Sequence, residues 1–225
     1  MRKPSTRRSI LTGAAAAAAF SLAPGSARAQ TPARRYQPAR HSQDEWLDAV
    51  PGTHRTIIDC ASTASAGAAM LFANNLYVGN SRVYQLKESD VAVVICLRHM
   101  ATAFAFNDTV WAKYGEALGA AASFTDPKTG RAPSTNLLDA TGYGVQLPNA
   151  GVTIASVVKR GTHFAVCDMA TNRLAGVVAT ATKGVQEAVY TEFVRNLIPN
   201  SHLMSAGVVA VNRAQEYGYT LLTAV

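Results

Sequence analysis

The stretch Val91-Ala92-Val93-Val94-Ile95-Cys96-Leu97 is apolar at every position, three of its residues are valine, and it ends abruptly at Arg98-His99. A strand with one wet face alternates apolar and polar residues; a run without alternation fits a strand covered on both faces, the situation of parallel sheets. Working outward, similar short runs recur. Arg55-Thr56-Ile57-Ile58-Asp59-Cys60 precedes it as a first strand and His163-Phe164-Ala165-Val166-Cys167 follows as a third, with shorter candidates at 201–205 and 219–225.

Helical patterns lie between these runs. Residues 66–77 are alanine-rich and carry Met70, Phe72 and Leu76. Val110, Trp111, Tyr114 and Leu118 gather at helical spacing behind Asn107 or Asp108, either of which suits a helix cap. Ile154, Val157 and Val158 fit a short helix closed by Gly161. Val185, Val189, Phe193 and Leu197 recur every fourth residue and stop at Pro199-Asn200, and residues 208–217 form a further helix ended by Gly218. Near the start, Ser42-Gln43-Asp44-Glu45 reads as a capping box before a short helix with Trp46, Leu47 and Val50 on one face. Strands alternating with helices predict an α/β fold, a three-layer α/β/α sandwich around a mostly parallel sheet.

Two segments stand outside this rhythm. Residues 120–150 contain Pro127, Pro133 and Pro148 with several glycines and no period. So long a loop is a functional arm or a mobile segment by precedent. Following the second long helix, it is expected at the amino-terminal end of the sheet, as an arm at a subunit contact. The other segment is residues 1–29, MRKPSTRRSILTGAAAAAAFSLAPGSARA, with a basic start, an alanine-rich middle and small residues before a cut after Ala29. Within it Thr6-Arg7-Arg8-Ser9-Ile10-Leu11 resembles the twin-arginine export signal, which predicts a periplasmic or otherwise exported protein. Residues 30–41 then read as a polar linker, so the α/β domain is expected over 55–225.

The leader also changes the charge argument. All five charges in residues 1–29 are basic, which leaves sixteen basic residues against fourteen acidic ones, about +2 instead of the +7 of the whole chain. No basic stripe remains to suggest a nucleic-acid partner. No later apolar run approaches the roughly 20 residues of a membrane span. Nucleotide, dinucleotide, zincin and serine-esterase motifs are absent, and no cofactor is implied.

The three cysteines, Cys60, Cys96 and Cys167, fit neither a zinc knuckle nor a Cys-x-x-Cys pair. An odd number leaves at least one thiol free or paired between chains. Ligands of parallel α/β sheets bind outside the carboxyl ends of the strands, and three strand ends here carry chemistry: Asp59-Cys60, Arg98-His99-Met100 and Cys167-Asp168-Met169. Cys167 precedes a helix, whose positive end, with Arg98 or a charged His99, favours the reactive thiolate. Cys167, His99 and Arg98 are therefore the candidate catalytic residues. Asp59, Cys60, Met100 and Asp168 are the candidate ligand-binding set. Arg98 alternatively pairs with Asp59 or Asp168, and Cys167 is alternatively a core residue. Cys60, His99, Met100, Cys167 and Met169 are also soft or borderline donors of the kind that suits a thiophilic metal, although their spacing matches no metal motif. His54, His163 and His202 lie at the starts of strands and outside this set.

From about Ile57 to Val225 the chain resembles the DsrE-like family of sulfur-relay and related proteins. The resemblance rests on the apolar strand ending Leu97-Arg98-His99 with Asn107-Asp108 beyond it, and on Gly161-x-x-Phe164-x-x-Cys167. It rests further on Ile198-Pro199-Asn200 and on Ala206-Gly207-Val208 running to Arg213-Ala214-Gln215-Glu216-Tyr217-Gly218-Tyr219. It implies a five-stranded parallel sheet, a homo-oligomer (trimer or hexamer), and, as in the sulfur-relay members, a persulfide on a cysteine, with a small sulfur compound as partner. The alternative is a non-catalytic module that binds a small ligand or soft metal, or serves in assembly. The leader and the 120–150 segment set this chain apart from the sulfur-relay members.

Overall fold

The computed structural model describes residues 37–225; the expected leader, its expected cleavage site and most of the expected linker lie outside the described residues. Five parallel strands form one sheet in the order β4-β3-β2-β1-β5. They are β1 (His54–Cys60), β2 (Val91–Leu97), β3 (His163–Cys167), β4 (Ser201–Met204) and β5 (Thr220–Thr223). Seven α-helices accompany them: α1 (Trp46–Ala49), α2 (Thr63–Tyr84), α3 (Asp108–Ala122), α4 (Ile154–Lys159), α5 (Asp168–Thr182), α6 (Gln186–Arg195) and α7 (Gly207–Glu216).

The expected α/β/α sandwich is thus the fold, and β2 shows why its sequence reads as it does. All seven of its residues are buried. Val91, Val93, Ile95 and Leu97 enter the core formed with α2 through α6, while Ala92, Val94 and Cys96 enter the core on the other face, with α1 and α7. A strand at the centre of the sheet has no wet face, so no polar position interrupts it.

The unequal covering follows from the connections. From β1 to β4 each strand is laid beside its predecessor in one direction, and α2 through α6 cover one face. After β4 the chain returns across the whole sheet to place β5 outside β1, and α7 makes that return on the opposite face. Crossovers between parallel strands are right-handed, so reversing the direction of travel moves the connecting helix to the other face. The helices that follow β3 and β4 therefore leave the sheet on opposite sides. A crevice opens between the carboxyl ends of these two strands, the switch point at which such sheets hold ligands.

Two expectations need correction. Ser42 does not cap a helix: Ser42–Asp44 is a 3-10 turn, α1 starts at Trp46 behind a helical Glu45 with no side-chain cap, and the Ser42 hydroxyl bonds the Gln43 side chain. The sequence match fails because a cap residue needs extended backbone and the chain is already turning there. The 120–150 segment also departs from its expected place. The Ala122 carbonyl, at the end of α3, accepts from the Thr63 hydroxyl, three residues beyond β1, so the segment leaves at the carboxyl side of the sheet.

Nor is that segment a projecting arm. Asn136 is buried and donates to the carbonyls of Phe104 and Phe106, Asn149 donates to those of Leu138 and Val152, and Leu137, Leu138 and Leu147 are buried. Pro133 passes so close to α3 that a Cβ on Gly115 would stand 1.9 Å from its carbonyl oxygen. The segment's buried asparagines and leucines therefore tie this irregular chain to its own domain.

Candidate functional site

The crevice at the switch point is a cavity of about 500 Å3 lined by Arg98, His99, Cys167, Met169, Ala170, Arg173, Ala206, Gly207 and Val208. Each comes from a strand end or the first turns of α5 and α7. The three residues expected to be catalytic, Arg98, His99 and Cys167, are brought together here.

Cys167 ends β3 and caps α5. Its sulfur accepts from the Ala170 N–H at 3.4 Å, and its carbonyl accepts from the Thr171 hydroxyl. It is 7% exposed, at the floor of the cavity. The other two thiols are engaged elsewhere. Cys60 donates to the Cys96 carbonyl at 3.0 Å, and Cys96 donates to the Gly207 carbonyl at 3.4 Å. Burial, the largest influence on both, pushes the Cys60 and Cys96 thiols up and holds them protonated. Cys167 alone among the three has no acceptor for its S–H among the described residues.

Arg98 follows β2 and turns to β1. Its Nε and Nη2 reach the two carboxylate oxygens of Asp59 at 2.7 and 2.8 Å, a bidentate pair. Those bonds raise the Arg98 pKa further and keep the guanidinium charged. The pair is possible because Gly207 carries no side chain: a Cβ there would stand 2.3 Å from Arg98 Cβ. His99 is exposed and takes a left-handed backbone at φ 54°, where the chain swings out of β2 into the 3-10 segment His99–Ala105. That conformation is uncommon for a residue with a Cβ. It is held in place by the Arg98 and Met100 N–H groups, which bond the carbonyls of Cys60 and Ala61.

The four expected ligand-binding residues divide. Asp59 has both oxygens occupied by Arg98. Met100 does not line the cavity, and its sulfur lies 3.7 Å from Nη2 of Arg173, which does. Cys60 and Asp168 are corrections. Cys60 belongs to the α2–α6 core, on the face of the sheet away from α7. Asp168 accepts from the Tyr190 hydroxyl at 2.6 Å and so ties α5 to α6; this bond is the main reason the Tyr190 pKa is pushed up to about 12. With Cys60 turned away, the five soft donors do not converge, and no group of three or more potential metal ligands occurs among the described residues.

Arg173 and Gly207 were not anticipated. Arg173 could have been found, because it stands one helical turn beyond Met169 on a helix expected to begin just after Cys167. Gly207 could not, since its role depends on which side chain crosses it. No helix among the described residues is long and apolar enough to cross a membrane. No protein-family model, no curated protein and no solved structure matches this chain.

Proposed function

We propose that this is an exported sulfur-handling protein in which Cys167 carries sulfur as a persulfide or attacks a sulfur donor, with His99 and Arg98 beside it. The observation that carries the reading is the contrast among the three thiols. All three are buried; two are held protonated and donate to carbonyls, while the third borders a cavity at the switch point with no acceptor for its S–H among the described residues. That sulfur caps α5 and accepts from the Ala170 N–H at the start of the helix. Resemblance to the DsrE-like family in the stretches ending at His99 and Cys167 supports the same reading and suggests a homo-oligomer. The twin-arginine pattern of the leader supports export.

Intact mass of the purified protein before and after exposure to a persulfide donor tests it. The expected result is one added sulfur atom that maps to Cys167, disappears on reduction and is not acquired by Cys167→Ser. Loading that persists in that variant, or a wild-type thiol that never loads, overturns it. One observation favours a second reading, a non-catalytic small-ligand module: the charge of Arg98 is already matched by Asp59 within the domain. That reading expects a ligand to raise the melting temperature without any sulfur adduct.

A further inference from the structure

We infer that the crevice selects a small sulfur donor whose charge sits on an oxyanion, thiosulfate being the simplest of the class, and that Arg173 reads that charge. This deepens the sulfur-handling reading and rests on it.

The cavity lining includes Arg98, His99 and Arg173 and no carboxylate. Arg98 is already matched, both of its bonds going to Asp59. Arg173 is not. It is exposed, forms no ion pair among the described residues, and its one hydrogen-bond partner there is the thioether of Met100, a weak acceptor. Across the cavity α7 begins behind Ala206, whose side chain offers no cap, so the N–H groups of its first turn face the same space without a side-chain acceptor. The third feature is the Cys167 S–H, nine-tenths buried and without an acceptor among the described residues, at the cavity floor. An unmatched guanidinium, an uncapped helix start and an unengaged thiol thus border one space. A ligand that complements all three is an anion bearing an electrophilic sulfur; a neutral donor leaves Arg173 unmatched.

The chemistry balances without an external oxidant. The Cys167 thiol loses its proton to solvent water, and its sulfur attacks the outer sulfur of thiosulfate. A new S–S bond forms to Cys167 while the original S–S bond breaks, and the bonding electron pair leaves with sulfite. The products are a cysteine persulfide and sulfite, whose charge Arg173 and the α7 N–H groups are placed to receive.

The test compares rates of Cys167 modification, read by intact mass, with thiosulfate and with neutral dimethyl trisulfide, in the wild-type protein and in Arg173→Gln and Arg173→Lys. Arg173 is exposed, and equal melting temperatures check that the variants fold. With thiosulfate, Arg173→Gln is expected to lose on the order of tenfold to a hundredfold in rate, the range of a charged hydrogen bond. Arg173→Lys is expected to recover part of that loss, and the trisulfide rate is expected to change less than about twofold in either variant. A wild-type protein that takes sulfur from the trisulfide but not from thiosulfate, or an Arg173→Gln that slows both donors alike or neither, overturns the inference and leaves the sulfur-handling reading standing. If neither donor modifies wild-type Cys167, that reading falls and this one with it.

Discussion

Strands β3 and β4 gather titratable side chains at both ends, and the two ends are built in opposite ways. At the amino ends His163 and His202 face the α1–α7 layer, their Nδ1 and Nε2 atoms 2.9 Å apart. Trp46 of α1 lies flat on His202, with ring centroids 3.8 Å apart and planes within 4°. Burial, and for His202 also the neighbouring His163, lowers both pKa values, that of His202 to about 4. No carboxylate among the described residues pairs with either ring, and with both pKa values lowered both rings are neutral at pH 7. At the carboxyl ends α5 and α7 depart to opposite faces and leave the cavity between them. Cys167 and Arg173 are left there without strong partners inside the domain. The lesson is that a dense group of histidines marks a site less well than a place where the topology withholds partners. Where chain covers the strand ends, the two histidines pair with each other under Trp46, although Trp46 Nε1 and Ser201 Oγ beside them have no hydrogen-bond partner among the described residues; where helices diverge, Cys167 and Arg173 are left for a ligand.

The comparison can be broken by mutation, beginning with the largest effect. Removing the thiol at one end, Cys167→Ser, is expected to abolish sulfur loading, while His202→Gln at the other end leaves it unchanged; loss of loading in both would mean that the ends are coupled. Next, Gly207→Ala brings a methyl group into Arg98 and is expected to cost about 1–3 kcal/mol in urea unfolding, typical of overpacking. The strain falls on the Arg98–Asp59 pair, so adding Asp59→Asn to Gly207→Ala should cost less than the sum of the two single changes.

The smallest effect belongs to the histidine end and depends on pH. A histidine whose pKa is lower in the folded than in the unfolded protein binds its proton more readily when unfolded. The stability it gives is therefore complete above the ordinary value near 6.5 and declines as pH falls toward the folded value, about 4 for His202. On the order of 1 kcal/mol is expected to be lost between pH 6.5 and 4, the half-exposed rings being partly screened by solvent. His202→Gln should flatten that part of the stability profile. An unchanged profile would remove the histidine pair as its source.

How much of this was legible in the sequence varies by element. The run at 91–97 announced a doubly covered strand because burial on both faces excludes polar residues, and β3 was read at its observed bounds. Lateral order was less legible: nothing in the local pattern says that β5 lies outside β1, and the crevice depends on that order. The face of Cys60 was hidden for a related reason, since strand parity sets it together with Ile58 but does not say which face α7 will cover. Asp168 was placed at the correct strand end, yet a single bond to Tyr190, 22 residues away, turns it from the crevice. Such long-range side-chain pairs leave no mark in the spacing.

The most direct test of the account is site-resolved alkylation of the three cysteines in the native protein. Cys167 is expected to react well before Cys60 and Cys96, which are 1% and 0% exposed and should become reactive only on unfolding. If Cys167 instead stays as protected as the other two until the protein unfolds, it is a core residue, and the crevice at the end of β3 is not a site of thiol chemistry.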